Sequence, residues 1–309
     1  MNWSTPAPRI IVLSGPTASG KSDLALSLAL AFPVEIVNAD SLQVYRHLDI
    51  GTAKPSPEER GRVPHHLIDV ADPDEPYNAG RYVAEAREAI AGIVARGNVP
   101  LVVGGTGMYL RALLRGLDPV PADPAVRGEL DRRWQEEGAA ALHAELARID
   151  PDTAARVHPS DRLRVVRALE IARVGGIPPS RARAAWGAGR EMYRSLFLAL
   201  WPDRESLYRR IDERTEGMFR RGLLNEVRWL LDRGYGRELK PLGGLGYRQA
   251  IAHLLDGIPL PEAVASTKRD TRRYAKRQIT WLAAEPALVR LDPAGAVREA
   301  GHRINMFLS

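Results

Sequence analysis

The chain has 309 residues, 45% hydrophobic and 27% charged, enough for one large domain or one domain carrying an insertion. It has no cysteine, which excludes disulfides and thiolate metal sites, and no apolar run approaching the length of a membrane span. The first residues lack the basic and long apolar regions of a signal peptide, so a cytoplasmic protein, by default monomeric, is expected. A formal charge of +6 favours an acidic partner, and where that charge lies along the chain carries more information than its sum.

Ile10 to Leu13 is an apolar run of the kind that forms a buried parallel strand. It feeds Gly15, Pro16, Thr17, Ala18, Ser19, Gly20, Lys21 and Ser22, which match the Walker pattern G-x-x-x-x-G-K-[ST] residue for residue. Apolar residues at Leu24, Leu28, Ala31 and Phe32 then recur at helical spacing. In that context the loop's backbone N–H groups curl around a phosphate chain, and the helix N-terminus adds partial positive charge. Lys21 is placed to neutralise phosphate oxygens and Ser22 to offer a hydroxyl to Mg²⁺. Val34 to Asp40 reads as a second strand ending in a carboxylate, and His65 to Val70 as a short third strand. Residues 78 to 96 form a helix, and Pro100 to Val103 a fourth strand ending in the glycine turn at Gly104 to Tyr109. Alternating strands and helices specify a P-loop NTPase-like α/β fold, a parallel sheet flanked by helices, with ligands beyond the carboxyl ends of the strands. The P-loop, Asp40 and Thr106 all fall at such ends.

From Asp118 to about Arg190 no strand pattern is found, only amphipathic runs broken by proline and glycine, the signature of a helical insertion. The expected organisation is therefore a core of residues 1–118 and 191–309 with an inserted helical domain at 119–190. Leu196 to Trp201 restores the sheet. Helices are expected at Arg204 to Arg221, Leu223 to Asp232 and Pro261 to Leu282, with a last short strand at Ala287 to Leu291.

Asp40 admits three readings from its position: a ligand of Mg²⁺, a proton acceptor, or a turn and cap residue. Adjacent histidines at 65 and 66 point to opposite faces of a strand, which favours packing or hydrogen bonding over a metal. On the late helix, Lys268, Arg272 and Lys276 form one i, i+4 row and Arg269, Arg273 and Arg277 the next, with Asp270 the only local acid. Like charges so placed repel by about a few tenths of a kcal/mol per pair, and a stripe built against that cost points to a polyanion lying along it, with a solvated basic face as the alternative. A second basic run, Arg162, Arg164 and Arg167, opens a helix of the insertion. Two separated basic helices suit a folded nucleic acid better than a mononucleotide.

Taken in order, Gly15–Ser22, Asp40–Tyr45, Asp49–Pro55, His65–Asp69, Gly104–Tyr109, Arg167–Glu170, Gly246–Arg248 and Thr271–Trp281 resemble the tRNA dimethylallyltransferase family over nearly the whole chain. The resemblance implies a transferase that holds the pyrophosphate of dimethylallyl diphosphate on the P-loop, with Mg²⁺. The exocyclic amine of a tRNA adenine beside the anticodon attacks the first prenyl carbon. By that resemblance Asp40 takes the amine proton, with Lys21, Thr106 and Arg127 near the reacting groups. tRNA-contacting segments would be Asp40, Ser41, Leu42 and Gln43; Leu163, Arg164, Val165, Val166 and Arg167; and Gly243, Gly244, Leu245, Gly246, Tyr247 and Arg248. A last one would comprise Arg272, Arg273, Lys276, Arg277, Gln278, Ile279, Thr280, Trp281, Leu282 and Ala283. The chain departs from the family at Gly243 and Gly244, where many relatives carry arginine and cysteine, and at Ser22, where threonine is commoner. Rival readings are a small-molecule kinase using ATP, a non-catalytic RNA-binding protein, and a prenyltransferase acting on free adenine nucleotides.

Overall fold

A computed structural model describes residues 7–116, 120, 122–187 and 192–309. The chain forms two compact units, Met1–Leu113 with Tyr193–Ser309, and Leu114–Met192. The boundaries expected after residues 118 and 190 lie outside the described residues.

In the first unit, β1 (Arg9–Ser14), α1 (Lys21–Ala31), β2 (Val34–Asn38), α2 (Pro57–Arg62), β3 (His65–His66), α3 (Ala79–Ala95), β4 (Val99–Val103) and α4 (Gly107–Arg115) follow in order. The second unit holds α5 (Pro124–Ile149), α6 (Pro151–Ala154), α7 (Arg162–Gly175) and α8 (Pro179–Gly187). The first unit then resumes with β5 (Arg194–Leu200), α9 (Arg204–Arg220), α10 (Leu223–Asp232), a 3-10 turn at Lys240–Gly243 and α11 (Tyr247–Asp256). It ends with α12 (Leu260–Ala283), β6 (Leu288–Leu291) and α13 (Ala296–Leu308).

The six strands are all parallel in the order β3-β2-β4-β1-β5-β6, with Leu13 opposite Val103 and Val12 opposite Phe197. β1 is central, and its Ile10 to Leu13 are wholly buried, which is why that run carries no polar alternation. One core gathers Ile11, Leu13, Ile36, Leu101 and Leu198 from the sheet with Leu24 and Leu28 of α1 and Ala300 and Ile304 of α13. The chain runs from β1 out to β3, returns through β4 and then crosses to β5. The turn-around sets a crevice beyond the carboxyl ends of β1, β2 and β4, the location such sheets use for ligands.

The third strand is shorter than its sequence suggests. Leu67 and Asp69 take positive φ values of 63° and 57°, which end the extended run after His66. The two histidines hydrogen-bond separately: His65 Nδ1 lies 2.8 Å from the Val63 carbonyl, and His66 Nε2 lies 2.7 Å from Glu35. In the second unit, α5 is broken at Gly138, whose φ is 84°, and packs Leu130, Leu142 and Leu146 against Val165, Val166 and Leu169 of α7.

Candidate active site

The P-loop occupies the turn from β1 to α1. Ala18 and Gly20 have φ values of 63° and 92°, the left-handed backbone that turns successive N–H groups into one concavity. Its far wall is α12. The Thr17 N–H donates to Gln278 Oε1 at 2.8 Å, and Gln278 Nε2 donates to the Gly105 carbonyl at 3.0 Å. A Cβ on Gly105 would stand 2.2 Å from Gln278 Nε2, so the glycine turn after β4 is what lets α12 approach. Gln278 is buried and its amide is spent on backbone; it holds the loop.

A cavity of about 780 Å³ opens over the loop, lined among others by Thr17 to Ser22, Asp40, Gln43, Thr52, Arg210, Arg214, Tyr274 and Gln278. Lys21 Nζ forms no hydrogen bond or ion pair among the described residues. Desolvation pushes its ammonium down to about 8; Arg214 adds to that shift and Asp40 opposes it. Arg210 NH1 donates to the Ser19 carbonyl at 3.3 Å, and Arg214 NH2 to the Thr52 carbonyl at 3.2 Å. Burial holds the Arg214 guanidinium below its ordinary range, with Asp40 opposing. These two arginines of α9 were not singled out in the sequence. Their i, i+4 spacing was a usable signal, masked by the acids interleaved with them.

Asp40 sits just past β2. Its Oδ1 accepts the N–H groups of Leu42 at 2.9 Å and Gln43 at 3.4 Å, a turn that leaves the second carboxylate oxygen for other work. Thr106 Oγ1 accepts the Ser41 N–H at 3.1 Å, so Thr106 fixes the Asp40 turn from behind. A smaller cavity of about 350 Å³ shares Thr17, Asp40, Thr52, Arg214 and Tyr274 with the first. It is otherwise bordered by Ser41, Leu42, Gly243, Gly244, Leu245, Arg248 and Arg277 among others, which joins three of the segments expected to meet tRNA. A Cβ on Gly243 would meet nothing within 4 Å.

Other expected contact residues are structural. Tyr247 is fully buried and donates to Glu226 at 2.6 Å, and Gly246 is the N-cap of α11. Leu282 is buried, Ile279 packs with Leu207 and Ile211, and the Trp281 ring lies against Gly107. Arg272 is not free for a polyanion: it forms a two-pronged pair with Asp212 of α9, and Lys268 pairs with Glu216 at 2.5 Å. Arg273, Lys276, Arg277, Thr280 and Ala283 stay at least partly exposed. In the second unit Val165 and Val166 belong to the core, whereas Leu163 and Arg164 are exposed. Arg127 and Arg167 both bind Glu170, the latter at 2.8 Å, and Arg167 also donates to the Val120 carbonyl. Burial pushes the Glu170 carboxyl up, but those two arginines outweigh it and hold it below its usual range.

An Mg²⁺ ion at this site would take the hydroxyl of Ser22, at the start of α1, and leave its remaining positions to phosphate oxygens and water, the usual Mg²⁺ arrangement.

The sheet order, the glycine loop and the helix it opens define the P-loop NTPase-like class of α/β proteins. The chain matches the IPP transferase family over residues 43–285 and the isopentenyl transferase family over residues 8–68. It belongs to the IPP transferase family. It is 50% identical to tRNA dimethylallyltransferase 1 of Pelobacter propionicus, over 92% of this chain and 93% of that protein. It is 48% identical to the tRNA dimethylallyltransferase of Desulfosudis oleivorans, over 97% and 96%. Among solved structures, a eukaryotic dimethylallyltransferase acting on tRNA superposes with a TM-score of 0.83 at 29% identity, covering 98% of this chain and 80% of that one. The full-length tRNA isopentenylpyrophosphate transferase of Bacillus halodurans gives 0.72 at 35%, covering 98% and 97%.

Proposed function

We propose that this chain transfers the dimethylallyl group of dimethylallyl diphosphate to the exocyclic amine of the adenosine beside the anticodon of tRNA, releasing pyrophosphate. The observation that carries the reading is the pair of adjoining cavities that share Asp40: one floored by the P-loop, the other bordered by Gly243–Leu245, Arg248 and Arg277. A diphosphate seated on the loop presents its prenyl carbon towards the shared wall, and a base entering the second cavity brings its amine to Asp40.

The chemistry follows from the charges. The loop N–H groups, Lys21, Arg210 and Arg214 stabilise the negative charge that collects on departing pyrophosphate. Mg²⁺, when bound, adds neutralisation of the same phosphate oxygens. The free oxygen of Asp40 accepts the amine proton as the carbon–nitrogen bond forms. An adenine inside a stacked anticodon loop must be extruded before it can enter, at a cost of a few kcal/mol. The exposed cations Arg273, Lys276 and Arg277 offer an RNA surface on the first unit, and within the helical unit Leu163 and Arg164 are exposed for the same use. Among the described residues no helix is long and apolar enough to cross a membrane. The reading proposed is of a monomer acting on tRNA in the cytoplasm.

Incubating the protein with dimethylallyl diphosphate and unmodified tRNA, followed by nucleoside mass analysis, tests this directly. A prenylated adenosine is expected; phosphate transfer from ATP without prenylation would support the kinase reading instead.

A further inference from the structure

Five residues line both cavities: Thr17, Asp40, Thr52, Arg214 and Tyr274. Three of them have side-chain polar groups already engaged: Asp40 accepts two N–H groups through one oxygen, Thr52 Oγ1 donates to the Leu48 carbonyl at 2.6 Å, and Arg214 donates to the Thr52 carbonyl. Thr17 gives its backbone N–H to Gln278. Two hydroxyls are left, that of Thr17 on the phosphate loop and, across from it on α12, that of Tyr274. The Tyr274 hydroxyl makes no hydrogen bond among the described residues, although its side chain is half-buried and lines both cavities. The Arg277 guanidinium lies 5.6 Å from the centre of its ring.

We infer that Tyr274 is a catalytic residue, its phenolic O–H donating a hydrogen bond to the diphosphate oxygen that leaves the prenyl carbon. The inference rests on the transfer reaction proposed above. In that reaction the carbon–oxygen bond breaks with its electron pair going to pyrophosphate, the carbon–nitrogen bond forms, and Asp40 takes the amine proton. The phenol keeps its own proton throughout. In that reaction two groups meet at the junction between the cavities, the ester oxygen and the base. The ester oxygen gains negative charge at the transition state, whereas the adenine ring loses electron density as its amine attacks. A donor accelerates the step only at the atom that becomes more negative. Burial pushes the phenol up, and the charge of Asp40 pushes it the same way with Arg277 opposing, so it stays a donor at any working pH.

The test uses the full chain with unmodified tRNA under single-turnover conditions. Product formation by the unaltered protein first establishes the transfer reaction; its absence would refute that reaction and not the role of Tyr274. Given product, Tyr274→Phe should lower the chemical rate by about 10²-fold, the size of a missing oxyanion donor. Binding of tRNA and of pyrophosphate should stay within about threefold. With a substrate carrying sulfur in place of the ester oxygen, a poor hydrogen-bond acceptor, the ratio between Tyr and Phe proteins should fall towards one. An unchanged rate in Tyr274→Phe, or an equal loss with the oxygen and sulfur substrates, overturns the assignment. Should the Phe protein fold poorly, 2,3-difluorotyrosine at position 274 strengthens the donor at nearly constant size and should raise the rate, and no rise would count against it equally.

Discussion

Gln278 clasps Thr17: the loop N–H meets its Oε1 at 2.8 Å while its Nε2 is held by Gly105, so α12 and the turn after β4 together set the shape of the phosphate loop. Gln278→Ala leaves the Thr17 N–H and the Gly105 carbonyl without their partner and should cost about 1–3 kcal/mol of stability. Pyrophosphate affinity, measured by calorimetry, should fall in the same variant because the loop loses its brace. A lowered melting temperature with unaltered pyrophosphate binding would show that the loop holds its shape without α12.

On the basic face of α12, Lys268 and Arg272 are paired with acids of α9, whereas Arg273, Lys276 and Arg277 are exposed. Replacing Arg273, Lys276 and Arg277 together should weaken tRNA binding and lower the slope of log affinity against log salt by about 0.7–0.9 for each phosphate left unneutralised. Arg272→Ala should behave differently, destabilising the fold by leaving Asp212 unpaired while the salt slope holds. Equal salt-slope effects from Arg272 and from Arg273 would contradict this division.

That division marks where the sequence stops being legible. The P-loop, the Asp40 turn and the strands that present them follow from local pattern: an unbroken apolar run, two glycines, a carboxylate past a strand. The stripe of cations on residues 268–277 was visible too, but its neutralisation was not. Asp212 and Glu216 lie 60 and 52 residues upstream of their partners, and nothing within α12 reports them. Tyr247 likewise sits in a polar, glycine-rich stretch and yet is wholly buried, because Glu226 and Gly51 receive its hydroxyl and its ring. Arg210 and Arg214 were hidden for the converse reason: their helix alternates charge, and only the packing of α9 shows which row faces the phosphate loop.

Glu226 acts on the site from outside it. Its carboxylate accepts the N–H groups of Asp49, Ile50 and Gly51 at 3.1, 2.7 and 3.3 Å as well as the Tyr247 hydroxyl, fixing the loop whose Thr52 carbonyl receives Arg214. A Cβ on Gly51 would stand 2.4 Å from the Tyr247 ring. Gly51→Ala should therefore lower both stability and kcat, whereas Tyr247→Phe, which keeps the ring and gives up one hydrogen bond, should cost only about 1 kcal/mol. Comparing the two by thermal melts and turnover checks the ordering; a Phe protein as impaired as the Ala protein would place the weight on the hydroxyl instead.

Lys21 gives the site a pH signature. Its ammonium, pushed down to about 8 in the free protein, regains its ordinary range once a diphosphate lies against it. Binding pyrophosphate at pH 8.5 should then take up a proton, seen as a dependence of the calorimetric heat on the buffer's ionisation enthalpy. Lys21→Ala should abolish that uptake and nearly all prenyl transfer while sparing tRNA binding. Stability depends on the same proton: a lysine depressed in the folded state stays protonated to higher pH in the unfolded chain, so the stability it withholds below about pH 8 is recovered as pH rises from there towards 10.5.

Asp40 is the proposed acceptor of the reaction's proton. An adenine amine is a poor nucleophile because its lone pair is delocalised into the ring, so a positioned proton acceptor matters, typically by about 10²–10⁴-fold. One oxygen of Asp40 is committed to the Leu42 and Gln43 N–H groups, and Asp40→Asn can keep that turn with its own carbonyl. The substitution therefore isolates the second oxygen. If that oxygen takes the amine proton, the Asn protein should fold normally, bind pyrophosphate normally and lose about 10²–10⁴-fold in single-turnover rate at every Mg²⁺ concentration. A carboxylate serving the metal instead would show a raised Mg²⁺ requirement, with much of the rate restored by excess. A residue that merely caps its turn would tolerate asparagine almost silently, since the two cap about equally well. A Mg²⁺ titration of the single-turnover rate separates the three, and a near-normal rate at ordinary Mg²⁺ would end the assignment of Asp40 as the base.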